Sequence, residues 1–322
     1  MANVRLEGQR LDPLGLQRGV TAVEASEVLD AGLLEPDQVN GVVDDALRVR
    51  LREPDRHLAR EPEAVHRRNS RIGAMGVAEL AALIRDRGPC VVLTGAGVST
   101  ESGIPDFRSP DGIWARFDPL EYGSIQAFRA DPDKVWSFYA PRFSMLTEAE
   151  PNDAHLALAD LERRGFVRAV VTQNIDLLHE RAGSREVVEV HGSIRTSTCS
   201  GCSATYPLAD VLERLRQNGA PHCTSCDAVL KPDVVFFGEL LPREPIDRAF
   251  ELAGEAKLIL VVGSTLEVQP VAGLPLETLS AGGALAIVNR GPTALDALAT
   301  LKLDGSAGEI LAAVADDLAR TS

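Results

Sequence analysis

Residues 91–108 read VVLTGAGVSTESGIPDFR. A short apolar run breaks into Gly-Ala-Gly and continues through a Ser/Thr-rich segment to Ile-Pro-Asp-Phe-Arg. Val91, Val92 and Leu93 carry no polar interruption, which predicts a buried parallel strand. Gly95 and Gly97 let the backbone turn sharply and approach a ligand closely, because a Cβ there would collide. A helix beginning near Ser99 would aim free backbone N–H groups at an anion such as a pyrophosphate. A glycine pair after a strand also makes a plain strand-to-helix turn, so the rest of the chain has to decide.

Upstream, VAELAALIRDRG at 77–88 sets Leu80, Leu83 and Ile84 at helical spacing and closes with Gly88, a helix with a C-terminal glycine. Residues 1–74 differ: rich in Arg, Asp and Glu, they contain no Phe, Tyr or Trp. Segments 25–34 and 38–51 have helical spacing, and 52–71 is a charged, proline-broken linker. This part is expected to be an N-terminal appendage, partly helical or disordered, followed by a catalytic domain over 75–322.

Downstream, 109–130 is loop-like, with Trp114 and Phe117. Asp131-Pro132 starts a helix carrying Val135, Trp136, Phe138 and Tyr139, which Pro141 is expected to kink or interrupt. Asn152 caps another helix, with Leu156, Leu158 and Leu161, ended by Gly165. A second strand runs from Phe166 to Thr172 and into Gln-Asn-Ile-Asp; a third, 187–190, leads to His191-Gly192. An insertion at 195–230 follows. Parallel-type elements return at 234–237, 258–262 and 284–288, and a last helix spans 307–320. This strand–helix alternation predicts an α/β fold with a parallel sheet covered on both faces.

The chain has 322 residues, 45% hydrophobic, enough for one large domain or one large plus one small. A formal net charge of −14 has the wrong sign for the whole chain to bind nucleic acid or an anionic membrane. No apolar run is long enough to span a bilayer, and the N-terminus lacks a secretory apolar core. The expected location is cytoplasmic.

Cys199-x-x-Cys202 and Cys223-x-x-Cys226 are separated by twenty residues. Two such pairs complete a four-sulfur shell with no open position, so one structural Zn²⁺ per chain is expected in preference to two disulfides. His222 beside them is not needed as a ligand. The fifth cysteine, Cys90, beside the first strand, reads as a buried inert thiol. His191 at a strand end, where open α/β sheets present chemistry, is a candidate general base or a satisfied structural histidine. Asn174 and Asp176 follow another strand; they offer hydrogen bonds to a ribose or carboxamide, or serve the turn itself. Gly263, Ser264 and Asn289 also lie at strand ends. His155 and His179, in predicted helices, read as structural.

GAGVS at 95–99, GIPDFR at 103–108, TQNID at 172–176, HG at 191–192, the two CxxC pairs, KPDVVFFGE at 231–239 and GSTLEVQP at 263–270 together resemble the bacterial-type sirtuins, NAD-dependent protein lysine deacylases. The resemblance covers about 76–320, in order. It implies a Rossmann-like large domain plus a smaller zinc-ribbon and helical module, the helical insertion at about 109–150, with NAD and acyl-lysine meeting between them. Gly95, Ala96, Gly97, Ser99 and Thr100 would then line phosphates and ribose. Asp106, Phe107 and Arg108 would sit in a flexible cofactor loop, with Phe107 shielding the anomeric carbon. Gln173, Asn174, Ile175 and Asp176 would bind the nicotinamide end, and Gly263, Ser264, Asn289, Arg290 and Ser306 the adenosine half. Val235, Phe237, Gly238 and Glu239, with Leu266 and Val268 opposite, would hold the substrate peptide as an added strand. His191 and Asn174 would be catalytic, His191 drawing a proton through the ribose hydroxyls. Products would be nicotinamide, O-acyl-ADP-ribose and free lysine.

Tyr139 and Arg142 form a YxxR that resembles the succinyl-, malonyl- or glutaryl-binding motif of some sirtuins: a guanidinium clamps a carboxylate bidentately and a phenol adds a hydrogen bond. The alternative is a core Tyr and a helix-surface Arg. Acyl-lysine proteins are thus the expected partners, with no direct nucleic acid or membrane partner. NAD-dependent protein ADP-ribosyltransfer is the alternative activity. A non-catalytic NAD-sensing scaffold fits less well with His191 and the GIPDFR loop present.

Overall fold

Nine strands carry the architecture: β1 (Cys90–Thr94), β2 (Val167–Thr172), β3 (Val187–Glu189), β4 (Gly192–Cys199), β5 (Thr205–Pro207), β6 (Leu230–Val234), β7 (Leu258–Val262), β8 (Ala284–Val288) and β9 (Leu301–Leu303) among the described residues. The structure is a computed structural model and describes residues 74–215 and 219–320. The expected appendage, with its helices at 25–34 and 38–51 and its linker, lies outside the described residues. Six strands form a parallel sheet in the order β3-β2-β1-β7-β8-β9; β5-β4-β6 form a separate antiparallel sheet.

The central strands are apolar on both sides because both sides are covered. Cys90 and Val92 of β1, Leu258, Leu260 and Val262 of β7, and Ala284, Ala286 and Val288 of β8 pack against helices α1 (Ala74–Arg87), α2 (Asp153–Arg163) and α3 (Ala307–Arg320). The alternate residues, Val91, Leu93, Ile259, Val261, Leu285 and Ile287, pack with Ala249, Leu252 and Leu274 on the other face. This period-2 division is what a doubly covered parallel sheet demands. The helix caps follow the sequence: Asn152 accepts from the N–H groups of Ala154 and His155, and Gly165 closes α2 with φ +83°. Among the described residues no helix is long and apolar enough to cross a membrane.

A third cluster forms the smaller module. It joins Ile125, Phe128, Val135, Trp136, Phe143 and Leu146 to Ile194, Leu230 and Phe236.

Four expectations are corrected. No α-helix begins near Ser99; a 3₁₀ stretch spans Ala96–Ser102 and stops at Gly103, φ +83°. The tight contacts that this turn makes with residue 263, described below, hold it in the shorter form. Pro141 does not interrupt its helix, which runs Pro132–Glu148. A mid-helix proline costs about 3 kcal/mol, but Val135, Trp136 and Phe138 before it and Phe143 and Leu146 after it are buried, and the Trp136 indole donates to the Leu230 carbonyl at 2.8 Å. That anchorage on both sides of the proline outweighs the lost hydrogen bond. The segment 234–237 is not a parallel strand. β6 ends at Val234, pairs antiparallel with β4 and stands at the edge of its sheet, where Pro232 is tolerated. The third strand stops at Glu189, one residue short of the expected end, since Val190 pairs only through its N–H to Thr172. β9, three residues in a loop-like stretch, had no periodic signal to reveal it.

At the sheet's centre a Cβ on Gly97 would lie 2.8 Å from the Gly263 carbonyl oxygen and 2.9 Å from its Cα, whereas one on Gly103 would meet nothing within 4 Å. Gly97→Ala should therefore destabilise by about 1–3 kcal/mol through overpacking, and Gly103→Ala by about 1–2 kcal/mol through its left-handed backbone alone. Urea unfolding of each checks the distinction, with the larger loss expected in Gly97→Ala.

Candidate active site at the carboxyl ends of the sheet

The chain leaves β1 toward β2 and β3 on one side, while β7, β8 and β9 lie on the other. The carboxyl ends of β1 and β7 thus flank the topological switch point, where open α/β sheets bind ligands. Gly95 and Gly97 stand there, but the close approach they permit is to protein. A Cβ on Gly95 would lie 2.8 Å from the Gly263 oxygen and 2.9 Å from the Ser264 Cβ. Gly263 itself has φ +62°, and a Cβ on it would fall 2.3 Å from the Val98 nitrogen. The N–H groups of Gly95, Gly97 and Val98 are spent on Val262, Gly263 and Gly95 carbonyls. Among the described residues no bond engages the Ala96 N–H, which is left as the donor of a bare backbone floor.

Above this floor the polar residues of TQNID meet the turn. Ser99 Oγ donates to Asp176 Oδ2 at 2.7 Å, and Asn174 Nδ2 donates to Ser99 Oγ at 3.1 Å and to the Gly95 carbonyl at 3.2 Å. Asp176 Oδ1 accepts the Leu178 N–H. Gln173 Nε2 reaches Ser264 Oγ at 2.9 Å, tying the β2 end to the β7 end. The Ile175 carbonyl accepts from Ile194. The sequence residues of three strand ends are therefore one network.

His191 Nδ1 lies 3.0 Å from the Gln173 carbonyl. A carbonyl only accepts, so Nδ1 carries the proton and Nε2 keeps its lone pair. Burial lowers the His191 pKa below its ordinary 6.5, the Gln173 carbonyl opposes this, and the Arg108 charge adds to the lowering. Neutral imidazole with a bare Nε2 is the form a general base requires.

The loop after Gly103 is folded around Asp106, whose Oδ1 accepts from the N–H of Arg108 (3.0 Å) and Ser109 (2.8 Å). Phe107 stacks on Trp114 at 5.3 Å, and Trp114 on Phe138 at 5.9 Å. Arg108 faces Glu267 at 3.4 Å, a pair largely in solvent. At the far end Asn289 is buried and donates to the Arg290 and Gly291 carbonyls; Arg290 is exposed. Thr100 turns back onto the Gly97 carbonyl. Ser306 is spent on Glu101, whose Oε1 takes the Ser306 hydroxyl at 2.8 Å and the Gly308 N–H at 3.1 Å. A carboxylate of the chain itself thus sits at the N-terminus of α3.

Segment 235–239 has most of its main chain already paired within the chain. Phe237 has no main chain to offer: its N–H donates to Gly123 and its carbonyl accepts from Ile125. Its side chain is 40% exposed. The Val235 N–H is spent on the His191 carbonyl. The Glu239 carboxylate is held internally by Lys231 at 2.9 Å and by the Phe236 N–H at 2.8 Å, so it does not reach outward. Leu266 is buried, with its N–H on Ser264 Oγ, and the Val268 carbonyl accepts from Ala272. Among the described residues no bond engages either main-chain group of Gly238.

Tyr139 stacks on Phe236 at 5.3 Å, and burial raises its phenol pKa. The Arg142 guanidinium lies 3.5 Å from the Phe138 ring centroid and donates to the Phe138 carbonyl. Burial lowers its pKa, Tyr139 opposing. No carboxylate pairs with it among the described residues.

Cys199 and Cys226 sulfurs lie 3.4 Å apart, Cys202 and Cys223 3.6 Å, and all four within 4.8 Å of one another. A disulfide is about 2.05 Å; a tetrahedron around zinc with bonds of about 2.3 Å has edges near 3.8 Å. The thiols are therefore unbonded to each other and fit a zinc ion. N–H groups of Gly201 and Cys202 point at Cys199, that of Ser225 at Cys223, and the Tyr206 hydroxyl lies 3.2 Å from Cys223, outer-shell donors suited to thiolates. Burial pushes the Cys90 thiol up to about 12, an inert group as expected.

His155 and His179 fall in helices as expected, yet they also underlie the site. Their rings are 4.8 Å apart. His155 Nε2 lies 3.5 Å from Ser99 Oγ, and His179 Nε2 3.0 Å from Thr94 Oγ1, which also contacts Thr172 Oγ1 at 2.8 Å. Thr94 and Thr172 escaped sequence reading. The available signal was a threonine ending each of two otherwise apolar strands.

Residues 95–270 match a family model described as the Sir2 family. The chain is 44% identical over 240 residues to the NAD-dependent protein deacetylase 1 of Pyrobaculum aerophilum, spanning 74% of this chain and 94% of that protein. It is 41% identical over 246 residues to the NAD-dependent protein deacylase of Pyrococcus furiosus, spanning 76% and 98%. A solved Sir2 complex with p53 peptide and NAD+ is similar with a TM-score of 0.70 at 40% identity, covering 76% of this chain and 98% of that one.

Burial pushes His179 down to about 3, the charge of His155 adding to this, and burial lowers His155 as well, against Asp176 and Glu101. Both are neutral when folded, whereas the unfolded chain takes up protons near 6.5. The stability they contribute is present above that pH and is lost as pH falls toward the folded values, by about 1.4 kcal/mol per unit for each histidine. Urea midpoints at pH 7.5 and 5.5 should show the fall, and, with His191 lowered as well, His179→Gln should reduce it by about a third. An unaltered pH slope in that variant would contradict the assignment.

Proposed function

This chain belongs to the Sir2 family, and from that premise we propose how it works as an NAD-dependent protein-lysine deacylase. The observation that supports this reading best is the His191 ring, its tautomer fixed by the Gln173 carbonyl, beside the Asn174–Ser99–Asp176 network at the β1–β7 switch point.

The residues fit a dinucleotide. A glycine floor with an unspent Ala96 N–H suits a pyrophosphate, and Arg108 brings a cation to the same mouth. Gly95, Ala96, Gly97, Ser99 and Thr100 are assigned to the phosphates and ribose. Gly263, Ser264, Asn289 and Arg290 take the adenosine half, with Ser306 supporting from the α3 terminus. Gln173, Asn174, Ile175 and Asp176 hold the nicotinamide end. When bound, NAD supplies the glycosidic bond that releases nicotinamide and the ribose carbon that takes the acyl oxygen. Asn174 orients, its amide nitrogen already committed to Gly95 and Ser99. Phe107, stacked on Trp114, closes the site against water, which reactions through cationic sugars need. His191 Nε2 takes up the proton released by the sugar hydroxyls. The peptide enters between Gly238 and the 266–268 segment and adds as a strand, with the Phe237 side chain at its edge. The zinc ribbon serves structure alone.

Residues 75–322 then form the catalytic domain, with 1–74 an appendage to it. Four unbonded thiols support a cytoplasmic location.

A second reading concerns the acyl group. Arg142 is a half-buried cation with no carboxylate partner among the described residues, next to Tyr139. Such a cation favours an acyl chain that ends in a carboxylate. Succinyl- or malonyl-lysine is accordingly proposed as a substrate alongside acetyl-lysine.

With an acetyl-lysine peptide the protein should release nicotinamide and form O-acyl-ADP-ribose. His191→Tyr should lose about 10²–10⁴-fold, and the acid limb of kcat/KM should lie below 6.5, following the lowered pKa of His191. Label from adenylate-labelled NAD on protein, with none on a small ester, would replace this reading with ADP-ribosyltransfer. Arg142→Ala should cut succinyl turnover about tenfold or more and spare acetyl turnover; equal rates on succinyl peptide before and after would dismiss the acidic acyl chain.

A further inference from the structure

We propose that Lys231 is a positioning residue for the acyl-lysine peptide, acting through Glu239 to lock the segment that receives it; the inference deepens the deacylase reading and rests on it. A lysine ammonium has three donors. Those of Lys231 meet three acceptors: the carbonyls of Pro232 (3.1 Å) and Val234 (2.9 Å) and Glu239 Oε2 (2.9 Å). The ammonium also sits 4.4 Å from the centroid of the Phe236 ring. Glu239 Oε2 in turn accepts the Phe236 N–H at 2.8 Å, and the Glu239 N–H donates to the Phe236 carbonyl at 3.0 Å. Lys231 and Glu239 side chains are only 20% and 23% exposed, so the pair is less screened than a surface ion pair.

The consequence is a segment fixed almost residue by residue. Lys231 holds the Val234 carbonyl, His191 the Val235 N–H, Glu239 both main-chain groups of Phe236, and Gly123 and Ile125 those of Phe237. Gly238, at φ +83°, is left with its main chain unengaged among the described residues. A rigid receiving edge spares the incoming peptide the cost of ordering it. Without the ammonium, two carbonyls lose this donor, the Glu239 carboxylate keeps only the Phe236 N–H, and the segment loosens. The dinucleotide floor, built from residues 95–99, 174 and 263–264, makes no bond to Lys231. The damage should therefore fall on peptide binding and leave NAD binding intact.

Steady-state kinetics of the full-length protein with an acetyl-lysine peptide tests this. Lys231→Met should raise the peptide KM about tenfold, with kcat and the NAD KM within about twofold. Lys231→Arg should recover part of the loss, since it keeps the charge but not the compact three-donor geometry. Glu239→Gln keeps an acceptor for the Phe236 N–H and should raise the peptide KM less. The double variant Lys231→Met with Glu239→Gln should be no worse than Lys231→Met alone, as for two members of one unit. An unchanged peptide KM, a parallel rise in the NAD KM, or additive effects would overturn the proposal. Should Lys231→Met fail to fold, wild-type peptide KM in both Lys231→Arg and Glu239→Gln overturns it equally. A wild-type protein that releases no nicotinamide with any acyl peptide would instead remove the deacylase reading, and this inference with it.

Discussion

The contact of Gly95 and Gly97 with Gly263 is the constraint on which the site depends. Backbone meets backbone at distances that no Cβ allows. The contact brings the β1 end and the β7 end together at the one place where the sheet's strand order reverses. Gly97 gives its N–H to Gly263, while Gly95 and Val98 give theirs to Val262 and Gly95, so the turn is a rigid shelf carrying Ala96 as its donor. The glycines thus serve the ligand indirectly: they let two strand ends close into a floor, and the floor then has no side chains.

What stands on the shelf is polar and nearly dry. Ser99, Asn174 and Asp176 are all buried, and behind them lie His155, His179, Thr94 and Thr172. Buried polar groups cost free energy unless they are hydrogen-bonded; Ser99, Asn174 and Asp176 satisfy one another, which doubles as orientation, while His179 Nδ1 is left without a partner. Asn174 cannot turn without abandoning Gly95 and Ser99. His191 cannot change tautomer without losing the Gln173 carbonyl. The same burial that fixes these groups lowers the pKa of all three histidines, so the apolar sheet sets the charge state of His191 as well as its position.

Much of this was legible in the sequence. β1, β2, β7 and β8 announced themselves as apolar runs, and each site motif sat at the end of one. Asn152 and Gly165 marked the ends of their helix by cap chemistry alone. The four cysteines gave their grouping by spacing. The misses have two causes: long-range contacts overrode local signals, or no local signal existed. Pro141 reads as a break until Trp136 is seen bonded to Leu230, about ninety positions along the chain. Residues 234–237 read as a parallel strand because apolar composition does not encode the direction of the partner. β9 is too short for any period to register.

The small module explains why metal and chemistry belong to one chain segment. β4 begins directly after His191 and ends at Cys199; β6 begins four positions after Cys226 and ends at Val234. Their pairing joins Cys199 to Leu230 at one end and Gly192 to Val234 at the other, with an irregular register between. At about 3.3 Å per residue the two ends of β4 lie about 23 Å apart, too far for zinc to touch the reaction. Its effect is mechanical. Four sulfurs fix the register at the ribbon end, where an antiparallel pair of this length with an irregularity could otherwise slip. The opposite end of the same pair then delivers the His191 carbonyl to the Val235 N–H. His191 and Val235 are thereby held to each other by a bond whose alignment is set a full strand length away.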